Sequence, residues 1–287
     1  MRTSIIAVLA FALALALAGC SALKLGYGQA DSLVYRWLDG YADFDGVQGS
    51  HVRRAIAEWF EWHRRTQLPD YADLLARVEA EVAADTTPQR VCEWWGEAKT
   101  RTDRAIDHAI PAVADIARTL TPMQFAHIEE QQAKTNVEFK ERAMERDPKR
   151  RARDAADRFA DRAEWLYGDV TRPQRERIAR AVQEAAFDPL LGYGERLRRQ
   201  EDGVRTLRRL AGLQPAAAQA ELRGWLDRLE QSPNEAYRRQ AERQQAFNCR
   251  VFADLHNDTS RAQREFAQRR LHGWIGDLRA LAREAGA

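Results

Sequence analysis

Nine prolines spread over 287 residues set the plan of this chain. Proline lacks the backbone N–H and its ring clashes with the preceding turn, so helices accept it in their first turn and resist it further in. Pro69, Pro88, Pro122, Pro148, Pro173, Pro189, Pro215 and Pro233 each precede a segment of helical apolar spacing. Pro111 alone falls inside one, where it is expected to kink or divide the stretch from Pro88 to Leu120. Several starts also carry a capping box, in which the first side chain accepts from a backbone N–H and the fourth reaches back to the first. Thr86-Thr87-Pro88-Gln89, Thr121-Pro122-Met123-Gln124, Thr171-Arg172-Pro173-Gln174 and Ser260-Arg261-Ala262-Gln263 share that plan, and Ser232-Pro233-Asn234-Glu235 closes it with glutamate.

The apolar periodicity agrees with the caps. A helix from Ser50 to Thr66 turns Val52, Ile56, Trp59 and Phe60 inward; Tyr71, Leu74, Leu75, Val78 and Val82 form a second stripe. Val91, Trp95, Ala98, Thr102 and Ile106 read as a third inward stripe, followed by Ala156, Phe159, Ala160, Ala163 and Leu166, and by Ala267, Leu271, Trp274, Leu278 and Leu281. Gly168 and Gly212 fit C-terminal stops. Ala, Arg, Glu, Leu and Gln dominate beyond residue 50, and no run of alternating β-branched residues appears. The expected fold is all-α, an elongated multi-helix bundle of roughly nine or ten helices with several helical hairpins. It occupies residues 31–287 as one body or as two subdomains meeting near 168–190.

The N-terminus reads as an address. Arg2 is followed by an apolar or small-residue run from Ile5 to Gly19. As a helix that run covers roughly 22 Å, short of a bilayer core of about 30 Å, which favours a signal segment over a stable span. It ends in Leu17-Ala18-Gly19-Cys20, which resembles the lipobox of bacterial lipoproteins. The resemblance implies a signal peptide over 1–19, acylation of Cys20 and a lipidated tether over 20–30. Ser21 after the cysteine resembles the pattern sent to the outer membrane, so the body would face the periplasm, held by acyl chains without a spanning helix. Leu23, Leu25 and Tyr27 would keep the tether near either the lipid or the body.

Charge narrows the partners. Lys and Arg number 45 against 43 Asp and Glu, a formal charge of +2, which argues against a nucleic-acid binder. The Arg-rich stretch from Lys134 to Arg162 mixes signs at three- and four-residue spacing, as a solvated, salt-bridged face does.

With the lipobox in place, Tyr35-Arg36-Trp37-Leu38-Asp39-Gly40-Tyr41-Ala42-Asp43-Phe44-Asp45, Trp62-His63-Arg64-Arg65-Thr66-Gln67-Leu68-Pro69-Asp70-Tyr71 and Leu255-His256-Asn257 resemble an uncharacterised family of Gram-negative lipoproteins classed as a domain of unknown function. The resemblance implies a periplasm-facing lipoprotein and lends no activity. Leu120-Thr121-Pro122-Met123-Gln124 is also similar to the Leu-Thr-x-x-Gln element of Spy-like periplasmic chaperones; Val170-Thr171-Arg172-Pro173-Gln174 departs from it in having Val for Leu.

In an oxidising periplasm Cys92 and Cys249 most simply form one disulfide. The rival reading is a reactive Cys92 thiol one turn into its helix, where the N-terminal dipole would lower its pKa. The histidines, His51, His63, His108, His127, His256 and His272, show no paired ligand spacing, and Asp39, Asp43 and Asp45 with Gly46 do not match an EF-hand, so neither metal nor cofactor is expected. The candidate binding surface is Trp37, Tyr41 and Phe44 with Trp62, His63, Arg64 and Arg65: aromatic anchors beside arginines suited to carboxylates or phosphates. The same aromatics would otherwise seal the N-terminal arm onto the bundle. No catalytic constellation is recognisable. These features point to a membrane-anchored binding, scaffold or chaperone-like protein whose partner is a periplasmic protein or peptidoglycan. The alternative is a cell-wall-cleaving enzyme, which requires a cleft holding a Glu of raised pKa.

Overall fold

A computed structural model describes residues 22–144, 147–185 and 187–284; Cys20 and the apolar run before it lie outside the described residues. Eleven helices follow one another: α1 (Ala22–Gly28), α2 (Ala30–Ala42), α3 (Gly46–Glu81), α4 (Pro88–Ala117), α5 (Pro122–Ala143), α6 (Pro148–Tyr167), α7 (Arg172–Glu184), α8 (Pro189–Leu210), α9 (Pro215–Glu230), α10 (Glu235–Asn257) and α11 (Arg261–Glu284). No strand occurs among the described residues, and the architecture is the expected all-α bundle.

The frame is an antiparallel hairpin of α3 and α4. Asp70 receives Arg101 at 2.9 Å and Arg104 at 3.2 Å, Arg90 reaches Glu81 at 2.7 Å, and the Trp59 indole N–H donates to the Ala105 carbonyl at 3.0 Å. Along α3 runs α11, also antiparallel: Leu68 and Ala72 bury against Ile275, Leu278 and Leu281, and Arg264 donates to the Ala83 carbonyl at 3.0 Å near the hairpin turn. On α4, Ile110, Ala114 and Ala117 meet Leu210 of α8 and Ala218 and Leu222 of α9. Cys92 of α4 is disulfide-bonded to Cys249 of α10, with Cα atoms 5.5 Å apart and 157 positions between them.

Six prolines open helices as expected, at 88, 122, 148, 173, 189 and 215. Pro69 does not: α3 continues through it to Glu81. Pro69 is exposed, so the Arg65 carbonyl it deprives of a donor lies on the solvent side, while its neighbour Leu68 is buried under α11. Tertiary burial thus overrides the local penalty. Likewise α4 passes Pro111 undivided. Two caps shift. Thr87, not Thr86, caps α4 by accepting from Arg90 N–H at 3.1 Å, because the Thr86 backbone is held on both sides by Asn257. Asn234, not Ser232, caps α10, because the Ser232 hydroxyl donates to Glu195 at 2.8 Å. Gly168 stops α6 at φ 87°, where a Cβ would sit 3.2 Å from the Phe266 ring.

Both ends of the hairpin are closed by the same device. At the open end the capping boxes of α3 (Asp45, Gln48) and α5 (Thr121, Gln124) face each other. Gln48 accepts from Asp45 N–H at 3.2 Å and donates to the Thr119 carbonyl at 2.8 Å; Gln124 accepts from Thr121 N–H at 2.9 Å and donates to the Asp43 carbonyl at 3.0 Å. The two amides also pair with each other, at 2.7 and 3.3 Å. At the turn end α7 and α11 repeat the arrangement. Gln174 accepts from Thr171 N–H at 2.9 Å and donates to the Asp258 carbonyl at 3.0 Å; Gln263 accepts from Ser260 N–H at 2.8 Å and donates to the Asp169 carbonyl at 2.6 Å. In all four cases the carbonyl reached lies two residues before the partner's cap. The helices beside these corners repeat as well: α2 packs on α3 and α5, and α3 on α4, as α6 packs on α7 and α11, and α7 on α10.

Removing one member strands buried donors and acceptors of the other. Gln48→Ala and Gln124→Ala should each cost about 2 to 3 kcal/mol in urea unfolding. The double variant should fall short of their sum by at least about 1 kcal/mol, and strict additivity would show the amides act separately. Replacing Cys92 and Cys249 by serine should cost up to about 5 kcal/mol, the loop-entropy limit for so wide a bridge.

Candidate functional site

The expected binding residues divide between two places. One is an aromatic box where α1 meets α3. Leu23 and Tyr27 turn from α1 onto the body, and the Tyr27 ring meets Phe60 edge-on at 5.5 Å. The Tyr27 hydroxyl is hydrogen-bonded to His63 Nδ1 at 2.7 Å; His63 Nε2 lies 3.3 Å from the Tyr71 hydroxyl, and Trp59 stacks on the imidazole at 4.7 Å. Arg64 lies over the Tyr27 ring at 5.6 Å. Burial holds His63 neutral, lowering its pKa to about 4, and pushes Tyr27 up to about 12 against the pull of Arg64. Trp62 stacks on His108 of α4 at 3.6 Å, and Arg65 pairs with Glu61 at 3.6 Å on the surface. The box therefore fastens the arm.

The second place is the outer end of α2. Trp37 is 64% exposed and leans on Tyr41 at 5.2 Å, and Phe44 N–H donates to Asp39 at 3.2 Å. Tyr35 faces Gly49, so closely that a Cβ there would lie 2.8 Å from its hydroxyl, while Tyr27 faces His63. The step along α3 from Gly49 to His63 is roughly 21 Å at helical rise. Trp37 and Trp62 therefore do not line one groove.

On α4, the stripe expected to face inward is largely out in solvent. Of its five residues Val91 is half-buried, Trp95 is 62% and Ile106 42% exposed, with Ala98 and Thr102 exposed between them; seven positions beyond Ile106 on the same face, Val113 is 43% exposed as well. The core takes Ala105, Ile110, Ala114 and Ala117 instead. Charges flanking the stripe are already paired: Lys99 with Asp103 at 2.6 Å and Glu230 at 2.7 Å, and Arg101 with Asp70. From Trp95 to Val113 it runs roughly 27 Å.

Sequence reasoning missed one buried charge network. Glu195, Arg198, Arg199 and Asp202 follow helical spacing on α8, a pattern legible in one dimension but indistinguishable there from a surface ladder. Arg198 and Arg199 bond Glu195 at 2.9 and 2.7 Å and donate onward to the Arg228 and Leu229 carbonyls at the end of α9. Burial pushes the Glu195 carboxyl up, but hydrogen bonds from Arg198, Arg199 and Ser232 outweigh it and bring the pKa down to about 2. Asp202 is lowered the same way: burial raises it, and Arg228 and Arg205 prevail. A glycan-cleaving general acid must be raised, and both of these carboxylates are lowered, so neither fits that role. Between α5 and α8 lies an open groove of about 670 Å³, floored by Val204 and Leu197 and rimmed by Arg205, Arg208 and Arg209. No cluster of His, Cys, Asp or Glu suited to a metal occurs among the described residues.

The box predicts a pH dependence. His63 titrates below the ordinary histidine value when folded, so the unfolded chain binds more protons between about pH 4 and 6.5. His256 shifts in the same direction through burial. Stability should be complete above pH 6.5 and fall as pH drops toward 4. His63→Phe should flatten part of that fall; an unchanged pH slope in urea midpoints would assign it elsewhere.

No curated protein and no solved structure matches the chain. Residues 40–238, from the end of α2 into the first turn of α10, match a family of unknown function (DUF6279), and the chain belongs to that family.

Proposed function

We propose that this protein is a lipid-anchored component of the bacterial envelope that holds an apolar segment of another protein chain along the outer stripe of α4, as a scaffold or chaperone does. The observation that carries the reading is the stripe itself: Trp95, Ile106 and Val113 keep core-like spacing and stay uncovered. Exposed apolar side chains recurring along one helix face between polar flanks have the anatomy of an interaction surface. Paired rim charges leave the centre open to an extended or amphipathic partner.

Two further features support the setting. Leu17-Ala18-Gly19-Cys20 resembles a lipobox. The Cys92–Cys249 bond suits an oxidising compartment such as the periplasm. The Spy-like element around Gln124 supports the chaperone version only as a likeness, because its amide is engaged in the corner between α3 and α5.

The test uses light scattering from an aggregating client. The wild-type chain at stoichiometric excess should slow aggregation, and Trp95→Glu with Ile106→Glu should lose the effect about fivefold or more. Because both residues are exposed, the urea midpoint should hold, separating binding from folding. Equal protection by both proteins would move the site off α4, and no protection by either would end the chaperone version.

A further inference from the structure

We infer that the outer face of α1 and α2 is a membrane-docking surface that lies in the interfacial layer of the bilayer. The inference rests on the lipid-anchored reading for its setting but on α1 and α2 for its evidence. Each helix is two-sided. In α1, Leu23 and Tyr27 face the body and Leu25 points away, 62% exposed. In α2, Tyr35 and Ala42 turn toward the body, while Leu33, Val34 and Trp37 are 53%, 38% and 64% exposed. Ala30, Leu33, Val34, Trp37 and Tyr41 share one side of the helix at three- and four-residue spacing, opposite Tyr35 and Ala42. An isolated exposed leucine needs no explanation, but a continuous stripe opposite the packed face does.

The course of the chain identifies the occupant. The apolar run from Ile5 to Gly19 ends just before α1. Two residues, Cys20 and Ser21, separate Gly19 from Ala22, and the three Cα–Cα steps reach at most about 11 Å. Whatever bilayer holds that run or an acylated Cys20 therefore lies against the start of α1. No helix among the described residues is long and apolar enough to cross a membrane, so α2 would lie in the plane of the surface. Tryptophan beside tyrosine, with leucines on the same side, is the composition that settles at the headgroup boundary. Arg36, exposed beside the stripe, is placed to meet lipid phosphates.

The experiment reconstitutes the full chain into vesicles of phosphatidylethanolamine and phosphatidylglycerol carrying brominated acyl chains, which quench nearby tryptophans. Trp37→Phe should reduce the quenchable fluorescence about threefold, and Trp95→Phe should leave it unchanged. Identical quenching in wild type and Trp37→Phe would overturn the inference. So would loss of dimers from Leu33→Asp with Trp37→Asp in the absence of quenching, since the occupant would then be a second copy. Mass spectrometry of the N-terminal peptide from the same preparation reads acylation separately. An unmodified Cys20 with Trp37-dependent quenching removes the anchor and keeps the docking face; an acylated Cys20 without it does the reverse.

Discussion

Four helix N-termini meet in two pairs in this fold, and the pairing of their third-position glutamines fixes much of what surrounds them. Bringing two N-termini together is unfavourable in itself, because each carries partial positive charge and unpaired N–H groups. Glutamine answers both problems. Its carbonyl oxygen accepts from its own cap, as Gln48 does from Asp45 and Gln263 from Ser260, and its amide nitrogen donates to the partner corner. Glutamate would lack the donor, and asparagine the reach. With Gln48 and Gln124 at one end of the α3–α4 hairpin and Gln174 and Gln263 at the other, the crossing of four chain segments is set at each end, and α11 must then lie along α3.

The repetition runs deeper than the side chains. Two preceding helices and two following ones make the same contacts at both corners, although α8 and α9 intervene in the second set. What differs is the residues beside the caps. Val47 and Met123 at the open end are each 83% exposed, whereas Arg172 and Arg261 at the turn end pair with Glu176 and Glu265. Exposed apolar side chains thus stand beside the caps at one corner and surface ion pairs beside those at the other.

Much of this was legible in one dimension, and the exceptions share a cause. Thr121, Thr171 and Ser260 announced their helices because caps are local: the residues that satisfy a first turn lie within four positions of each other. Asp45 with Gln48 obeys the same rule, but the start of α3 read as Ser50 instead. Pro69 and the α4 stripe failed for a non-local reason. Leu68 is worth more buried under α11 than the bond Pro69 forfeits, and which of two apolar faces α4 gives to the core depends on α8 and α9, distant in sequence. The pairing of glutamine with glutamine was out of reach too, since no spacing links position 48 to 124 or 174 to 263.

The packing of the arm constrains how the body sits if α2 rests on a bilayer. Because α1 and α2 together run back along α3, with Tyr27 of α1 at His63 and Tyr35 of α2 at Gly49, a membrane-parallel α2 holds α3 close to the same plane. The hairpin then lies along the surface rather than standing out from it, and α3, about 54 Å long, spreads the body over the lipid. The α4 stripe, fixed to α3 by Asp70 and by Trp59, would accordingly work within a helix diameter or two of the headgroups. A partner reaching it would be one that travels beside the membrane, and the neutral His63 box, by fastening α1 to α3, is what keeps arm and hairpin in that relation.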